Sequence, residues 1–305
     1  MFPLFVPWIL VALTILAFIC LIKRLYWTAV ILALALCVAN WHWQVFAIGF
    51  NKLDEKKQEC DIRVMTWNVD STNPDFPNYA DSLAKVILKS DVDILFLTEY
   101  GKEDKGLVDS LLMKRFPYRL RFVENQSAFY CSTPVDTIYS IQTSMVKSSL
   151  LFCCRLKMDD SLWTVIGCHL ASNNHTINAD SVQDRETLGI YLNNYSKQTK
   201  VHLKEFMEMA RHFTDERCIV MGDMNDVAGS PVLSAFGMMD MNDAWWQGGL
   251  GYGATIHQPL PYRIDHILYS TDITLNGIKI MEKNGLSDHD GLIAGKRSVK
   301  AVLSA

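Results

Sequence analysis

Ile62-Arg-Val-Met-Thr-Trp-Asn-Val69 is β-branched and aromatic, and Asp91-Val-Asp-Ile-Leu-Phe-Leu-Thr98 is a short, nearly continuous apolar run. The first reads as a strand. The second reads as a strand covered on both faces, because a strand with one wet face would alternate polar and apolar residues. Between them, Tyr79 to Lys89 sets Leu83, Val86 and Ile87 at helical spacing,. Outward from this strand–helix–strand start, further strands are expected at 150–157, 162–169, 218–222, 263–269, 277–281 and 291–294. Helical pattern fills 180–193 and 198–213, and Ser230-Pro231 supplies an N-cap and a first-turn proline for a short helix over Val232–Phe236,. Strands outnumber helices and their order is mixed. The pattern predicts an α+β fold with two sheets face to face and helices outside, rather than a parallel doubly wound sheet.

The flanks of this core differ sharply in composition. Residues 1–50 hold no Asp or Glu, and Lys23 and Arg24 are their only Lys or Arg. Phe2–Ile22 and Tyr26–Phe50 are each long enough to cross roughly 30 Å of hydrocarbon as a helix. They read as a transmembrane hairpin turning at the basic pair, with Trp8, Tyr26, Trp27, Trp41 and Trp43 toward the ends, where amphipathic rings favour the headgroup region,. A cleaved signal peptide is the alternative, with a small-residue site near Ala33–Ala35 or Cys37–Ala39. Residues 51–61 (NKLDEKKQECD) form a charged juxtamembrane linker, 62–297 the soluble domain and 298–305 a tail.

Of 29 Lys+Arg, two lie in the hairpin, leaving 27 against 33 Asp+Glu and a net charge of −6 for the rest. That surface is unlike the basic footprint of a protein that grips nucleic acid nonspecifically, although a local basic groove is compatible with it. The eight cysteines show no CxxC spacing and no Cys/His cluster, which excludes a typical structural zinc site,. Most read as small buried hydrophobes.

Chemistry-bearing residues recur just after the expected strands: Asn68, Glu99, His169, Asp223 and Asn225, then Asp265 and the pair Asp288-His289. Hydrolysis of a phosphoester needs a hard cation on the phosphoryl oxygens, an activated water and help for the leaving oxygen, and carboxylates, amides and histidines at strand ends supply all three. TWNVD (66–70), ILFLTEY (94–100), GCHLASNN (167–174), VMGDMND (220–226), YRIDHIL (262–268) and GLSDHDG (285–291) together resemble, in order and spacing, the motif set of the endonuclease/exonuclease/phosphatase superfamily, which includes pancreatic deoxyribonuclease. The resemblance runs from about 62 to 295.

It implies a four-layer α/β/β/α sandwich and a Mg²⁺-dependent phosphoester hydrolase, with Mn²⁺ a possible substitute. On that resemblance Glu99 is the principal metal ligand, assisted by Asn68 and Asp288. Asp223 orients or deprotonates the attacking water, and Asn225 holds the water or a phosphate oxygen. Asp265 pairs with His289 to keep it cationic, and His169 donates to a non-bridging oxygen. Asn173, Asn174 and Tyr139 are further candidates to reach a phosphate. Two features depart from relatives: Tyr139–Ser144 lacks the usual arginine and proline, and Tyr262–His266 replaces the run typical of inositol-polyphosphate phosphatases.

Expected partners are the bilayer and a phosphoester substrate, whether nucleic acid, nucleotide or lipid; no protein partner is expected. A phosphodiesterase or nuclease-like enzyme acting at the membrane or outside it is the leading reading. A phospholipid or sphingolipid phosphodiesterase and a phosphomonoesterase are alternatives on the same core, and a noncatalytic tethered binding module is a further rival. Lys52, Lys56 and Lys57 are interleaved with Asp54, Glu55, Glu59 and Asp61, whereas the turn Lys23-Arg24 carries no acid. The turn is therefore expected in the cytoplasm and the catalytic domain outside it, in a periplasmic or extracytoplasmic position.

Overall fold

The computed structural model describes residues 2–54, 57, 61–69, 78–100, 106–122, 126–141, 150–158, 161–172, 185–213, 217–257, 260–282 and 285–298. Much of the linker, Asn173, Asn174 and the tail beyond Ser298 lie outside the described residues. The chain opens with a 3-10 turn, Phe2–Phe5, then α1 (Val6–Ile22) and α2 (Tyr26–Trp43). Arg24, with φ 58°, turns the chain between them. The spans Pro3–Ile22 and Tyr26–Trp43 are long and apolar enough to cross a membrane, with mean hydropathies of 2.8 and 1.3.

The second apolar stretch does not stay helical to Phe50. Gln44 adopts a left-handed conformation, and the Asn40 side chain brackets the turn, donating to the Phe46 carbonyl and accepting from its N–H, both at 2.8 Å. An Asx side chain that satisfies backbone groups in this way competes with continuation of the helix. The chain then enters a two-residue strand, β1 (Ala47–Ile48).

The core begins with β2 (Asp61–Asn68), α3 (Tyr79–Lys89) and β3 (Ile94–Thr98), and β2 pairs with β3 in parallel. Next come α4 (Leu107–Leu112), β4 (Tyr118–Phe122), β5 (Ser127–Cys131), β6 (Val135–Ile141), β7 (Leu150–Met158) and β8 (Ser161–His169). A long helix, α5 (Arg185–Ala210), leads to β9 (Arg217–Asp223), α6 (Pro231–Met238), β10 (Met241–Asp243), α7 (Ala244–Gly248) and β11 (Leu250–Gly251). The last elements are β12 (Asp265–Ser270), β13 (Ile273–Met281) and β14 (Gly291–Ser298).

Two six-stranded sheets, β13-β14-β2-β3-β5-β4 and β10-β12-β9-β8-β7-β6, face each other. Strand alternation explains the doubly buried runs. Val64, Ile94, Phe96, Ile219 and Met221 point into the inter-sheet core with Phe129, Phe152 and Trp163. The opposite faces send Met65, Trp67, Leu95 and Leu97 under α3 and α4, and Cys218 and Val220 under α5 and α6. The result is the expected four-layer α/β/β/α arrangement.

Three strands, β4 to β6, occupy the segment for which the sequence suggested no elements. Arg119 and Arg121 interrupt the apolar signal in β4, and β6 is an edge strand with a half-exposed pattern. The helices expected at 180–193 and 198–213 form a single helix within the described residues. Tyr195, in the expected gap, and Gln198, just after it, are buried and hydrogen-bonded, which carries the helix through. None of the seven described cysteines forms a disulfide, and those of the soluble domain are buried; Cys60 lies outside the described residues.

Candidate active site

The strand ends that carry the motifs meet along one edge of the sandwich. His169 ends β8 opposite Asp223 at the end of β9, and Asp223 is in turn the register partner of Asp265 at the start of β12. In the facing sheet Asn68 ends β2 opposite Thr98, the residue before Glu99. Gly222 permits the approach of β8 to β9: a Cβ there would lie 1.7 Å from the Cys168 carbonyl oxygen. Glu99 (φ 52°) and Asn225 (φ 48°) both take the left-handed backbone conformation. For Glu99 this is a locally unfavourable geometry held by its surroundings, the kind of strain that concentrates at functional sites.

Asn68 Nδ2 bridges two carboxylates, donating to Glu99 Oε1 at 2.9 Å and to Asp223 Oδ2 at 3.0 Å. His169 Nε2 lies 3.7 Å from the same Glu99 oxygen and 3.9 Å from the same Asp223 oxygen. Ligand atoms of Glu99, His169 and Asp223 fall within 4.8 Å of one another, as do those of Asp223, Asp265 and His289. Asn68 and Asp223 are buried, while Glu99 is open to solvent on one side. Two carboxylates and an amide converging from both sheets form an oxygen-rich donor set that suits a hard divalent cation. The twofold outline of the Asn68 amide allows its oxygen to face the point its nitrogen now occupies.

The second half of the site is a histidine–carboxylate pair. His289 Nδ1 donates to Asp265 Oδ2 at 2.8 Å, which turns Nε2 toward the cleft. Three contacts hold this loop: Trp67 Nε1 donates to the His289 carbonyl at 3.0 Å, Ser287 Oγ to the Asn68 carbonyl at 2.7 Å, and the His289 N–H to Ser287 Oγ at 3.0 Å. Burial by itself would lower the imidazole pKa, but the Asp265 charge and hydrogen bond, with Asp223 and Asp288 behind them, outweigh it and raise it. The surroundings therefore favour the cationic ring.

Not every expected residue joins. Asp288 stands on the exposed lip, Oδ1 4.0 Å from His289 Nε2 and outside the convergent donor groups among the described residues, where Asp223 and His169 accompany Glu99 instead. Asn225 fastens the loop: its N–H donates to Asp223 Oδ1 at 2.8 Å and its Nδ2 to the Leu170 carbonyl at 3.0 Å. Tyr139 stands apart from the other candidates. It lies on edge strand β6 opposite Cys153, three rungs and so about 10 Å below the row of His169,, and its hydroxyl is bonded to His212 Nδ1 at 2.8 Å.

One layer behind the site is a set of residues that the motif reading missed. Tyr195, Gln198, His202 and Glu205 recur at helical spacing on one face of α5. His202 is fully buried, its Nε2 donating to the Ala171 carbonyl at 2.8 Å and its Nδ1 lying 3.0 Å from Asp226 Oδ2. Gln198 Nε2 donates to the carbonyls of Ala171 and Asn225, and Tyr195 OH to Asp226 Oδ1 at 2.7 Å. Desolvation pushes the His202 pKa down, but Asp226 and the Ala171 carbonyl outweigh it and raise it. This strip ties the segment after His169 to the one after Asp223. Its signal in the sequence was a polar row at helical spacing on an otherwise amphipathic helix.

The fold matches solved structures at low identity. A truncated Caenorhabditis elegans TDP2 aligns with TM-score 0.57 and 18% identity over 78% of this chain and 98% of its own. A humanized D. rerio TDP2 aligns with TM-score 0.60 and 17% identity over 78% and 100%, and the human Nocturnin catalytic domain with bound sulfate with 0.59 and 15% over 80% and 97%. No curated protein sequence matches. The model of the Endonuclease/Exonuclease/phosphatase family matches residues 65–289, the stretch that contains every strand end described above. With three quarters of its length inside that match, the chain belongs to the Endonuclease/Exonuclease/phosphatase family and is a metal-dependent phosphoesterase.

Proposed function

We propose that this chain is a membrane-anchored, Mg²⁺-dependent phosphodiester hydrolase whose catalytic domain lies outside the cytoplasm. The observation that carries the reading is the convergence of Asn68, Glu99, His169 and Asp223 from both sheets beside the Asp265–His289 pair. Asn68 and Glu99 would hold the cation, with Asp288 contributing from the lip. Bound there, a divalent cation would neutralise phosphoryl charge and acidify water. Asp223, buried and oriented by the Asn225 N–H, aligns the attacking water and takes its proton,. The water oxygen bonds to phosphorus, the ester P–O bond breaks, and the leaving oxygen takes up a proton. His289, kept cationic by Asp265, and His169 donate to the phosphoryl oxygens as charge accumulates on them.

The anchor rests on the two apolar helices, each mostly bare of protein contacts. The side on which the domain lies follows from the acid-free Lys23-Arg24 turn,. The test is hydrolysis of bis(p-nitrophenyl) phosphate by the full chain with Mg²⁺ or Mn²⁺. Glu99→Ala, Asp223→Ala and His289→Ala each lower kcat/KM by at least about a hundredfold with the fold intact, and EDTA silences the wild type. Turnover by Glu99→Ala within about tenfold of wild type would remove Glu99 from the catalytic machinery.

A further inference from the structure

The helical hairpin is seated at the catalytic edge of the sandwich. Leu4, ahead of α1, is buried against Tyr195 and Val227, with Tyr262 and Ile264 packed alongside. Val227 directly follows Asp226 in the loop after β9, and Ile264 directly precedes Asp265. Tyr262 OH donates to the Leu4 carbonyl at 3.5 Å. At the end of α2, Trp43 covers Gly229 so closely that a Cβ there would lie 2.5 Å from its ring. Arg263 Nη2 reaches the Gln44 carbonyl at 3.5 Å while Nη1 binds Asp243 Oδ2 at 2.5 Å. Phe46 meets Tyr252, ring to ring at 5.7 Å, on the segment that continues to Thr255 and Ile256. Thr255 Oγ1 accepts from the Asp265 N–H, and Ile256 bridges His289. Each docking point is thus within a few residues of the candidate site.

The domain also exposes apolar side chains at the foot of the hairpin. Ile48 and Leu250, cross-strand partners in the β1–β11 ribbon, are 72% and 63% exposed, and Phe50 is 79% exposed. Beside them, Trp41 of α2 makes an edge-to-face contact with Trp246 of α7. An apolar groove of about 600 Å³ lies along the hairpin, lined by Leu10 and Ile15 of α1, Leu36 of α2, and Phe46 and Ile48 beyond it, and meets the domain at Trp246. A contiguous apolar surface of this kind is unfavourable in water and marks a contact. The occupant follows from continuity: the same apolar surface runs directly into two helices of membrane-spanning length, so the medium that surrounds them covers it,.

We propose that the catalytic edge lies on the bilayer, with Ile48, Phe50 and Leu250 dipping into it, and that the substrate is a phosphodiester of an amphiphile held in that bilayer, its head group entering from the interface. The proposal rests on the phosphoester-hydrolase reading above and specifies the substrate class of that site. Hydrolysis adds water across one P–O bond of the head group and leaves a phosphomonoester and an alcohol.

The test reconstitutes the full chain in vesicles of phosphatidylcholine and phosphatidylglycerol with Mg²⁺ or Mn²⁺. Release of head-group alcohol or phosphomonoester is compared with turnover of soluble dihexanoyl analogues below their micellar concentration, of a single-stranded oligonucleotide and of bis(p-nitrophenyl) phosphate. The expected kcat/KM is at least about tenfold higher for vesicle lipid than for the dihexanoyl analogue. Replacing Ile48, Phe50 and Leu250 together by Ser should lower vesicle turnover at least about fivefold while leaving bis(p-nitrophenyl) phosphate turnover unchanged, because interfacial binding scales with buried apolar area. If the triple variant also loses the soluble diester, Leu250→Ser alone is compared in the same way. Oligonucleotide or soluble diester cleaved while vesicle lipid stays intact overturns the proposal, as does undiminished vesicle turnover by the variants. Failure of the wild type on every substrate, including bis(p-nitrophenyl) phosphate, refutes the hydrolase reading itself and the proposal with it.

Discussion

Asp265→Asn isolates one charge while keeping the shape of the site. The Asn carbonyl oxygen can still accept from His289 Nδ1, whose contact with Asp265 Oδ2 is 2.8 Å, so ring orientation and tautomer persist. What disappears is a buried negative charge beside the imidazolium. At an effective dielectric of about 20, unit charges roughly 4 Å apart interact by about 4 kcal/mol, equivalent to about three decades. Asp223 and Asp288 also favour the protonated ring and remain, so the loss should fall between about a hundredfold and a thousandfold in kcat/KM. The metal donors do not include Asp265 in this account, so Mn²⁺ affinity should change by less than about threefold. Two measurements suffice: steady-state hydrolysis of bis(p-nitrophenyl) phosphate, and calorimetric titration of metal-free protein with Mn²⁺. If Asp265→Asn and Glu99→Ala lose Mn²⁺ affinity equally, Asp265 is itself a ligand and the pairing argument fails. A rate within about tenfold of wild type would show that the charge on His289 contributes little.

Three further outcomes follow from the structure. His202→Leu leaves the buried Asp226 carboxylate without its imidazole partner and should cost about 3–5 kcal/mol in thermal or denaturant unfolding, with kcat falling more than KM rises because both loops behind the site loosen; unchanged stability would show that the pair is not coupled. Lys296 is fully buried, with Nζ 3.1 Å from the Tyr269 ring centre and no hydrogen-bond partner among the described residues, and burial holds its amine well below the ordinary lysine range. The unfolded chain protonates this lysine below about pH 10.4 and the folded chain resists doing so, so its burden on stability grows as pH falls; Lys296→Met should add about 2–4 kcal/mol at pH 7, and a gain that did not shrink toward pH 10 would contradict the sign. Alkaline phosphatase fused after Lys57 should be active and green fluorescent protein at the same point dark, and the reverse pattern would place the catalytic domain in the cytoplasm.

Much of the molecule was legible along the chain because its signals are local. The runs at 62–69, 91–98 and 218–222 are apolar on both faces, and the structure buries both faces, one against the opposite sheet and one under helices. Asn68, Glu99, His169, Asp223, Asp265 and His289 could be singled out because they stand at or beside the ends of apolar runs, and the structure brings these positions together. Other features had no local signature. Periodicity tells which face of an element is buried but not what it is buried against, so the place of Tyr139, opposite Cys153 and below the row of His169, came only from the pairing of β6 with β7 and β7 with β8. The break expected in α5 disappeared because Tyr195 and Gln198 find partners on loops 27 or more residues away. The apolar stretch to Phe50 read as uninterrupted membrane helix. Only the tertiary structure, through the Asn40 bracket and the pairing of Ala47–Ile48 with Leu250–Gly251, ends that helix at Trp43 and seats the hairpin beside the catalytic edge. Composition reports that a segment avoids water, whereas the choice between lipid and protein as its cover is made by contacts with residues some two hundred positions away.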